Sequence, residues 1–283
     1  MSTAFAAVKR ELLVRYLDTW APAALHGLRK VTYAELSSAW SVADAVRVFA
    51  EFPELLAKHG LDVVTSAAVS ADLDLPLGLT VKTVTGDPLP ALSRDGPLFV
   101  HFDMPPRPPT PDELKWLAGG RSTELFLALD AAAAVGRAAV HSAGFAAVAE
   151  IELVDGEGTV QRVLFATGLA KHLVAFKEAL WAVDEYAGVR YRDPRDSEQT
   201  LLDISLKPPV GPLKRALLDR VRRSSSTVAE LRDYAVAETV YQAADATRVL
   251  TALIASGALA RTPDRGRITA ETVIRMASAA GVS

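Results

Sequence analysis

The run PLFVHFD, residues 97–103, constrains the fold most, because it is apolar at nearly every position instead of at alternate ones. A strand with one face in water alternates; a strand covered on both faces does not, and such strands belong to parallel sheets flanked by helices. The surrounding pattern agrees. A second strand-like run, TELFLALD (123–130), follows after a proline-rich loop and a helix-forming stretch near 112–117. Upstream, residues 29–36 and 61–69 read as strands, separated by a helical pattern over 42–58 that Pro53 suits as a first-turn residue and Gly60 ends. Strand and helix in alternation imply a parallel sheet.

Both ends of this pattern change character. Phe5, Val8, Leu12, Leu13, Tyr16, Leu17 and Trp20 recur at helical spacing, so the chain opens with an amphipathic helix that Pro22 is expected to close. An alanine-rich helix is expected to run through His141. From residue 146 the rhythm shifts to two strands around Asp155-Gly156-Glu157-Gly158, a hairpin signal that finishes the sheet with an antiparallel pair. A helix over 171–183 precedes a proline-containing linker, and the domain boundary falls near Pro208, dividing the chain into 1–207 and 208–283. In the second part, helical stretches at 213–223, 228–236 and 247–256 lead to GALARTPDRGRIT, a short basic hairpin. Three helices and a basic hairpin read as a small winged-helix domain.

Composition narrows the chemistry. The 283 residues include no cysteine, which excludes thiol nucleophiles, zinc-thiolate sites and iron–sulfur clusters on this chain. The five histidines show no metal-ligand spacing, so no metal is expected. No apolar run reaches the roughly 18 residues of a membrane span, and the charges near the N-terminus follow the small residues, the reverse of a signal peptide. A cytoplasmic protein without membrane contact is the expectation. The net charge of −3 is uneven: residues 208–283 carry eleven Lys and Arg against seven Asp and Glu, an excess of +4 that leaves −7 on the rest. A basic tail points to an anionic partner.

With the element order assembled, the segments VKRELLVRYLDTWAP, YAE, RVFAEFPELLAKHGL, PLFVHFDMPP and LFATGLAKHLVAFKEALWAVDEYAG, followed by the winged-helix tail, resemble the three-Cys-motif partner proteins, a bacterial family with a methyltransferase-like domain. The most specific likeness lies in the first helix and in Lys177, Trp181 and Asp184, which match a Lys-x-x-x-Trp-x-x-Asp pattern. The resemblance implies a Rossmann-like class I methyltransferase-type sheet, S-adenosylmethionine as cofactor, and a functional link to radical-type three-Cys proteins. It also places the cofactor on Tyr33, Glu35, Ser37, Ser38 and Trp40, at and after the first strand. There the family shows an Asp-x-Phe-Ala-Gly-x-Gly-like loop, whereas this chain has Glu35 for the acid and Ser37, Ala39 and Ser41 where phenylalanine and glycines stand. The second strand also lacks the acid that holds the ribose, offering Thr65 and Ser66. A glycine-free turn brings Cβ atoms into ligand space and disfavours positive φ, so a weakened cofactor site is expected.

Asp103 ends the PLFVHFD strand where α/β sheets place chemistry, and Asp103-Met-Pro-Pro resembles the Asp-Pro-Pro motif of amino-methyltransferases, which makes it the catalytic candidate. Two functions stay open: methyl transfer to a nucleic acid or small molecule, and a non-catalytic partner that uses the fold as a platform. In the tail, Arg248, Arg261, Arg265 and Arg267 are the candidates for nucleic-acid contact, with protein docking as the alternative use of a winged helix. If the tail binds duplex DNA, one phosphate on each of Arg261, Arg265 and Arg267 gives a slope of about −2.7 in log K against log salt. Filter-binding titrations across a salt series should show that slope flattening when the three are replaced by alanine. A steep slope that survives the replacement would remove them from the interface.

Overall fold

Strands that are apolar throughout need cover on both faces, and the computed structural model, which describes residues 3–27, 30–36, 42–67, 74–104, 107–184 and 188–277, supplies it. The chain runs α1 (Thr3–Leu25), β1 (Val31–Glu35), α2 (Val42–Ala50), α3 (Pro53–His59), β2 (Leu61–Thr65), β3 (Leu79–Thr83), β4 (Leu98–Asp103), α4 (Pro111–Ala118) and β5 (Thr123–Asp130). It continues with α5 (Arg137–Ser142), β6 (Ala147–Val154), β7 (Val160–Thr167), α6 (Ala170–Ala182), β8 (Arg190–Arg192) and β9 (Leu201–Asp203). The strands form one sheet in the order β3-β2-β1-β4-β5-β7-β6-β8-β9. β3, β2, β1, β4 and β5 are parallel, and β7 inserts antiparallel between β5 and β6. This is the mixed α/β sheet of the class I methyltransferase-type Rossmann folds, with β8 and β9 continuing it past the hairpin.

One face carries Tyr33, Val63, Phe99, Phe126 and Phe165 and is covered by α1, α2, α3 and α6; the other carries Val64, Val100, Leu127 and Leu164 under α4, α5 and the inserted Leu89 and Leu92. An aromatic cluster of Tyr16, Trp20, Tyr33, Phe99, Phe165 and Phe176 seats α1 on the first face, with ring centroids 4.3 to 5.9 Å apart in its closest pairs. Fully burying side chains of this size contributes roughly 1.5–3 kcal/mol each.

Several elements differ from expectation. α1 does not stop at Pro22 but continues to Leu25, because Ala24 and Leu25 are buried and their packing outweighs the one backbone donor that proline lacks. The strand expected over 61–69 ends at Thr65; residues 68–73 lie outside the described structure. β3 was not legible as a strand: its exposed edge position leaves only Leu79 buried. Gly78 makes its approach possible, since at φ +87° it packs against the Leu56 carbonyl of α3, where a Cβ would collide. The alanine run 131–134 is a turn rather than helix, with α5 starting only after Gly136. Inside the expected linker, β9 pairs with β8.

The tail comprises α7 (Gly211–Arg223), β10 (Ser226–Thr227), α8 (Val228–Glu238), α9 (Ala243–Ala255), β11 (Leu259–Thr262) and β12 (Val273–Met276), with the three strands antiparallel in the order β10-β12-β11. Thr227 and Glu230 form a capping box that starts α8. No described helix is long and apolar enough to cross a membrane.

The sequence motif at Lys177 explains how the tail is held. Lys177 projects from α6 and is 1% exposed. Its ammonium donates to the carbonyls of Ala235, Val236, Thr239 and Tyr241, at and beyond the C-terminal end of α8, and Trp181 Nε1 donates to Val240 O at 2.9 Å. Helix ends leave carbonyls without partners, and a cation there also meets the negative end of the helix dipole. Burial, with Arg195 next, holds the Lys177 ammonium well below the ordinary lysine pKa. Asp184 stays at the surface, its side chain 4.0 Å from Arg15. Lys177→Ala should destabilise the protein by about 2–4 kcal/mol, since several buried carbonyls lose their donor together. Urea denaturation would measure the loss, and limited proteolysis should show earlier cleavage in the 204–210 segment; an unchanged midpoint would show that the clamp contributes nothing.

Candidate cofactor cleft

In open α/β sheets, ligands bind beyond the carboxyl ends of the strands at the point where strand order reverses. Here that point lies between β1 and β4, neighbours in the sheet although not in sequence. A cleft of about 270 Å³ opens there. Leu36 after β1 and Phe102 of β4 give it apolar walls, Ser66 stands at the end of β2, and Asp87 follows β3. Asp87 Oδ1 accepts from Leu89 N at 3.0 Å, which shapes the turn, while Oδ2 lies 3.5 Å from Arg107. Arg107 donates to both carboxylate oxygens of Glu113, at 2.8 and 2.5 Å, and Glu113 also caps α4 through Thr110 N at 2.6 Å. These bonds, that of Arg107 foremost, hold the Glu113 carboxyl down at about 2. Thr65 turns its hydroxyl to Ala67 N at 3.0 Å, so the end of β2 presents hydroxyls and no acid.

Beneath the cleft, on the sheet face covered by α1, the strand ends carry buried polar groups. Tyr33 and Glu35 of β1 and His101 and Asp103 of β4 alternate onto that face. Tyr33 donates to Glu35 Oε2 at 2.5 Å and His101 Nδ1 meets the same oxygen at 2.8 Å. Burial, then the Glu35 charge, pushes the Tyr33 phenol well above its usual pKa. Glu35 is completely buried, yet its Oε1 has no hydrogen-bond partner among the described residues. A buried carboxylate oxygen left without a donor costs free energy.

Asp103 is 3% exposed and its carboxylate pairs with the ammonium of Lys9, which reaches down from α1. The next residue, Met104, takes a left-handed φ of 49°, and its N–H donates to Ala128 O at 3.0 Å. The structure thus gathers Tyr33, Glu35, His101 and Asp103 at the carboxyl ends of two adjacent strands. Ser37, Ser38 and Trp40 lie outside the described residues.

The tail arginines stand elsewhere, Arg248 on α9 and Arg261, Arg265 and Arg267 in the β11–β12 hairpin. Arg248 donates to Pro208 O at 3.2 Å and Asp245 Oδ1 at 2.8 Å, which ties α9 to the segment before α7. Arg261 donates to Gly266 O at 2.8 Å inside the hairpin, and Arg265 and Arg267 are exposed. Sequence reasoning passed over Lys9, Asp87 and Arg107. Lys9 had a legible signal, since it falls between Phe5 and Leu13 at four-residue spacing and therefore within the apolar stripe of α1. Asp87 and Arg107 had none, because both belong to loops.

A larger cavity, about 710 Å³, lies on the sheet face of Val64, Leu36 and Phe102, beneath the connection from β3 to β4. Its polar centre is Asp62, which takes Lys30 at 2.8 Å and Lys82 at 2.5 Å. Burial raises the Asp62 pKa, but the donors Lys30, Lys82 and Thr80 outweigh it and leave the carboxyl below its usual range. That ladder ties β1, β2 and β3 together, away from the strand ends.

Breaking the Lys9 pair from one side leaves a buried charge. Lys9→Met should therefore cost about 3–5 kcal/mol in urea denaturation, and adding Asp103→Leu should restore most of it. A double variant no more stable than the single one would show that the ion pair is not what the site depends on.

No family model matches the chain, and no curated protein matches it. Two solved structures show similarity. The 23S rRNA methyltransferase ErmE superposes with a TM-score of 0.32 at 13% identity, covering 53% of this chain and 66% of that one. Human methyltransferase-like protein 13, in complex with SAH, superposes with a TM-score of 0.33 at 14% identity, covering 64% of this chain and 92% of that one. The chain thus spans slightly less than two thirds of ErmE, and the fold assignment rests on the strand order.

Proposed function

We propose that the chain is a methyltransferase-like protein of the three-Cys-motif partner kind, whose carboxyl-end cleft takes S-adenosylmethionine weakly for methyl transfer to a nucleic acid or small molecule. The observation that carries this reading is the orphan oxygen of Glu35, fully buried at the end of β1, one residue before the cleft wall at Leu36. An ammonium-bearing nucleoside supplies the donor that oxygen lacks. Tyr33 and His101 hold the other oxygen and so aim the first, Asp87 borders the cleft beside the Arg107 pair, and Ser37, Ser38 and Trp40 follow in the sequence. When bound, the sulfonium provides an electrophilic methyl group. Asp103 stands at the acceptor side and orients the incoming amino group through its negative charge. Weak binding follows from the glycine-free turn and the missing acid on β2.

A second reading has its own observation. Asp103 is closed in by Lys9, and the outward side of α9 shows Ala244, Thr247, Thr251 and Ala255, which are small and uncharged, around Arg248. This favours a non-catalytic platform whose tail, read as a winged helix with β11–β12 as wing, docks a partner protein such as a radical-type three-Cys protein. The arginine on that side of the helix, Arg248, is tied to Asp245 and Pro208 O.

Calorimetry separates the two. S-adenosylmethionine should bind with a dissociation constant weaker than about 10 μM, and Glu35→Gln should weaken it at least about tenfold, which is 1.4 kcal/mol. Affinity near 1 μM or better would contradict the weakened site. No heat at millimolar ligand would leave the platform as the function.

A further inference from the structure

A third cavity, of about 320 Å³, lies between residues 193–197, α7 and α8, and it does not belong to the cofactor cleft. Four arginines and four acids line it, so its charge looks balanced by composition. The geometry shows otherwise. Asp193 accepts from Arg195 Nε at 3.2 Å and from Val240 N at 3.1 Å; Asp196 accepts from Arg215 at 2.8 Å; Asp219 accepts from Arg222 at 2.6 Å. Glu238 takes Arg137 at 3.0 Å and lies 3.5 Å from Arg195. Every acid is thus committed, and Arg222 and Arg137, which satisfy two of them, are not lining residues.

Arg220 and Arg223 remain. Neither has a carboxylate partner among the described residues. They stand three apart on the last turn of α7, hence on the same side of the helix. The Arg220 guanidinium lies over the ring of Tyr234, 6.0 Å from its centroid. Arginines in a last helical turn offset the carbonyl end of the helix. That role does not require two uncommitted guanidiniums in one cavity with an aromatic wall. Guanidinium forks match phosphate oxygens in pairs, and an aromatic face beside them accepts a planar base. The volume suits a mononucleotide or the end of a strand.

We infer that this cavity binds a nucleoside phosphate, with Arg220 and Arg223 holding the phosphate and Tyr234 flanking the base. The basic excess of the tail then has a location, separate from the hairpin arginines. The inference is independent of the cofactor reading, and a thymidine probe keeps the test apart from any adenosine-binding cleft.

The full chain is titrated by calorimetry at about 50 mM salt with thymidine 5′-monophosphate, with thymidine, and with a thymidine octamer carrying a 5′-phosphate. The monophosphate should bind with a dissociation constant between about 10 μM and 1 mM, and thymidine at least about tenfold more weakly. R220A/R223A should lose at least about tenfold for both phosphorylated probes, Tyr234→Leu should lose several-fold, and K214A/R232A, which removes the same two charges from exposed positions of α7 and α8 that do not line the cavity, should stay within about twofold. These side chains are at the surface, so thermal melting is expected to show all variants folded. An octamer bound about tenfold tighter than the monophosphate assigns the site to a nucleic-acid strand; equal affinities assign it to a free nucleotide. No binding of either phosphorylated probe, binding unchanged in R220A/R223A, or an equal loss in K214A/R232A overturns the inference.

Discussion

Three carboxylates on one face of the sheet, Glu35, Asp103 and Glu124, are buried almost completely, and the elements that cover that face must answer them. Tyr33 and His101 answer Glu35 from within the sheet. Lys9 of α1 answers Asp103, and Tyr16 of α1 together with His172 of α6 answers Glu124. Lys9 and Tyr16 are seven residues apart, two helical turns, so both point down from the same side of α1. Apolar packing alone would tolerate α1 at many positions along the sheet. A misplaced helix would leave a charge buried without a partner, so these pairs set its register.

The same logic governs the tail. α8 ends with several carbonyls in a buried position, and one lysine from α6 meets four carbonyls there while Trp181 meets Val240. Arg248 and Asp193 add bonds from the segments on either side, to Pro208 O and from Val240 N. The tail is therefore attached through its backbone. Such an attachment is indifferent to many side-chain changes in α8 and α9 and sensitive to Lys177 and Trp181. The Lys-x-x-x-Trp pattern in α6 is accounted for by this attachment without any chemistry at those residues.

The cofactor cleft shows opposing tendencies. The topology, the switch between β1 and β4, and the orphan oxygen of Glu35 all favour a ligand at the strand ends. The absence of glycine from residues 36–41 and the hydroxyl-only end of β2 favour looseness. Arg107 and Glu113 close one side of the cleft with a two-bond ion pair that also starts α4, so this wall is a product of helix capping as much as of any ligand.

Much of the scaffold was legible in the chain. The buried strands 97–103 and 123–130 and the hairpin at 155–158 follow from periodicity and turn chemistry, and Asp103 at a strand end follows from the rule that sheets place sites at their carboxyl edge, whereas Tyr33 and Glu35 were singled out by the family resemblance. What the chain did not disclose depends on neighbours distant in sequence. β3 is a strand because Gly78 lets it pack against α3 and β2 offers it an edge, neither of which appears in its own residues. Helix α1 outlasts Pro22 because Ala24 and Leu25 find a core. Arg248, readable as a nucleic-acid contact, turns to Asp245 and Pro208 O once α9 is packed. Local sequence determined which segments could be helix or strand, since propensity and pattern act over a few residues. Which polar groups are spent on structure and which are left over, as Glu35 Oε1, Arg220 and Arg223 are, was decided only by the tertiary fold, because a hydrogen-bond partner is defined by distance in space.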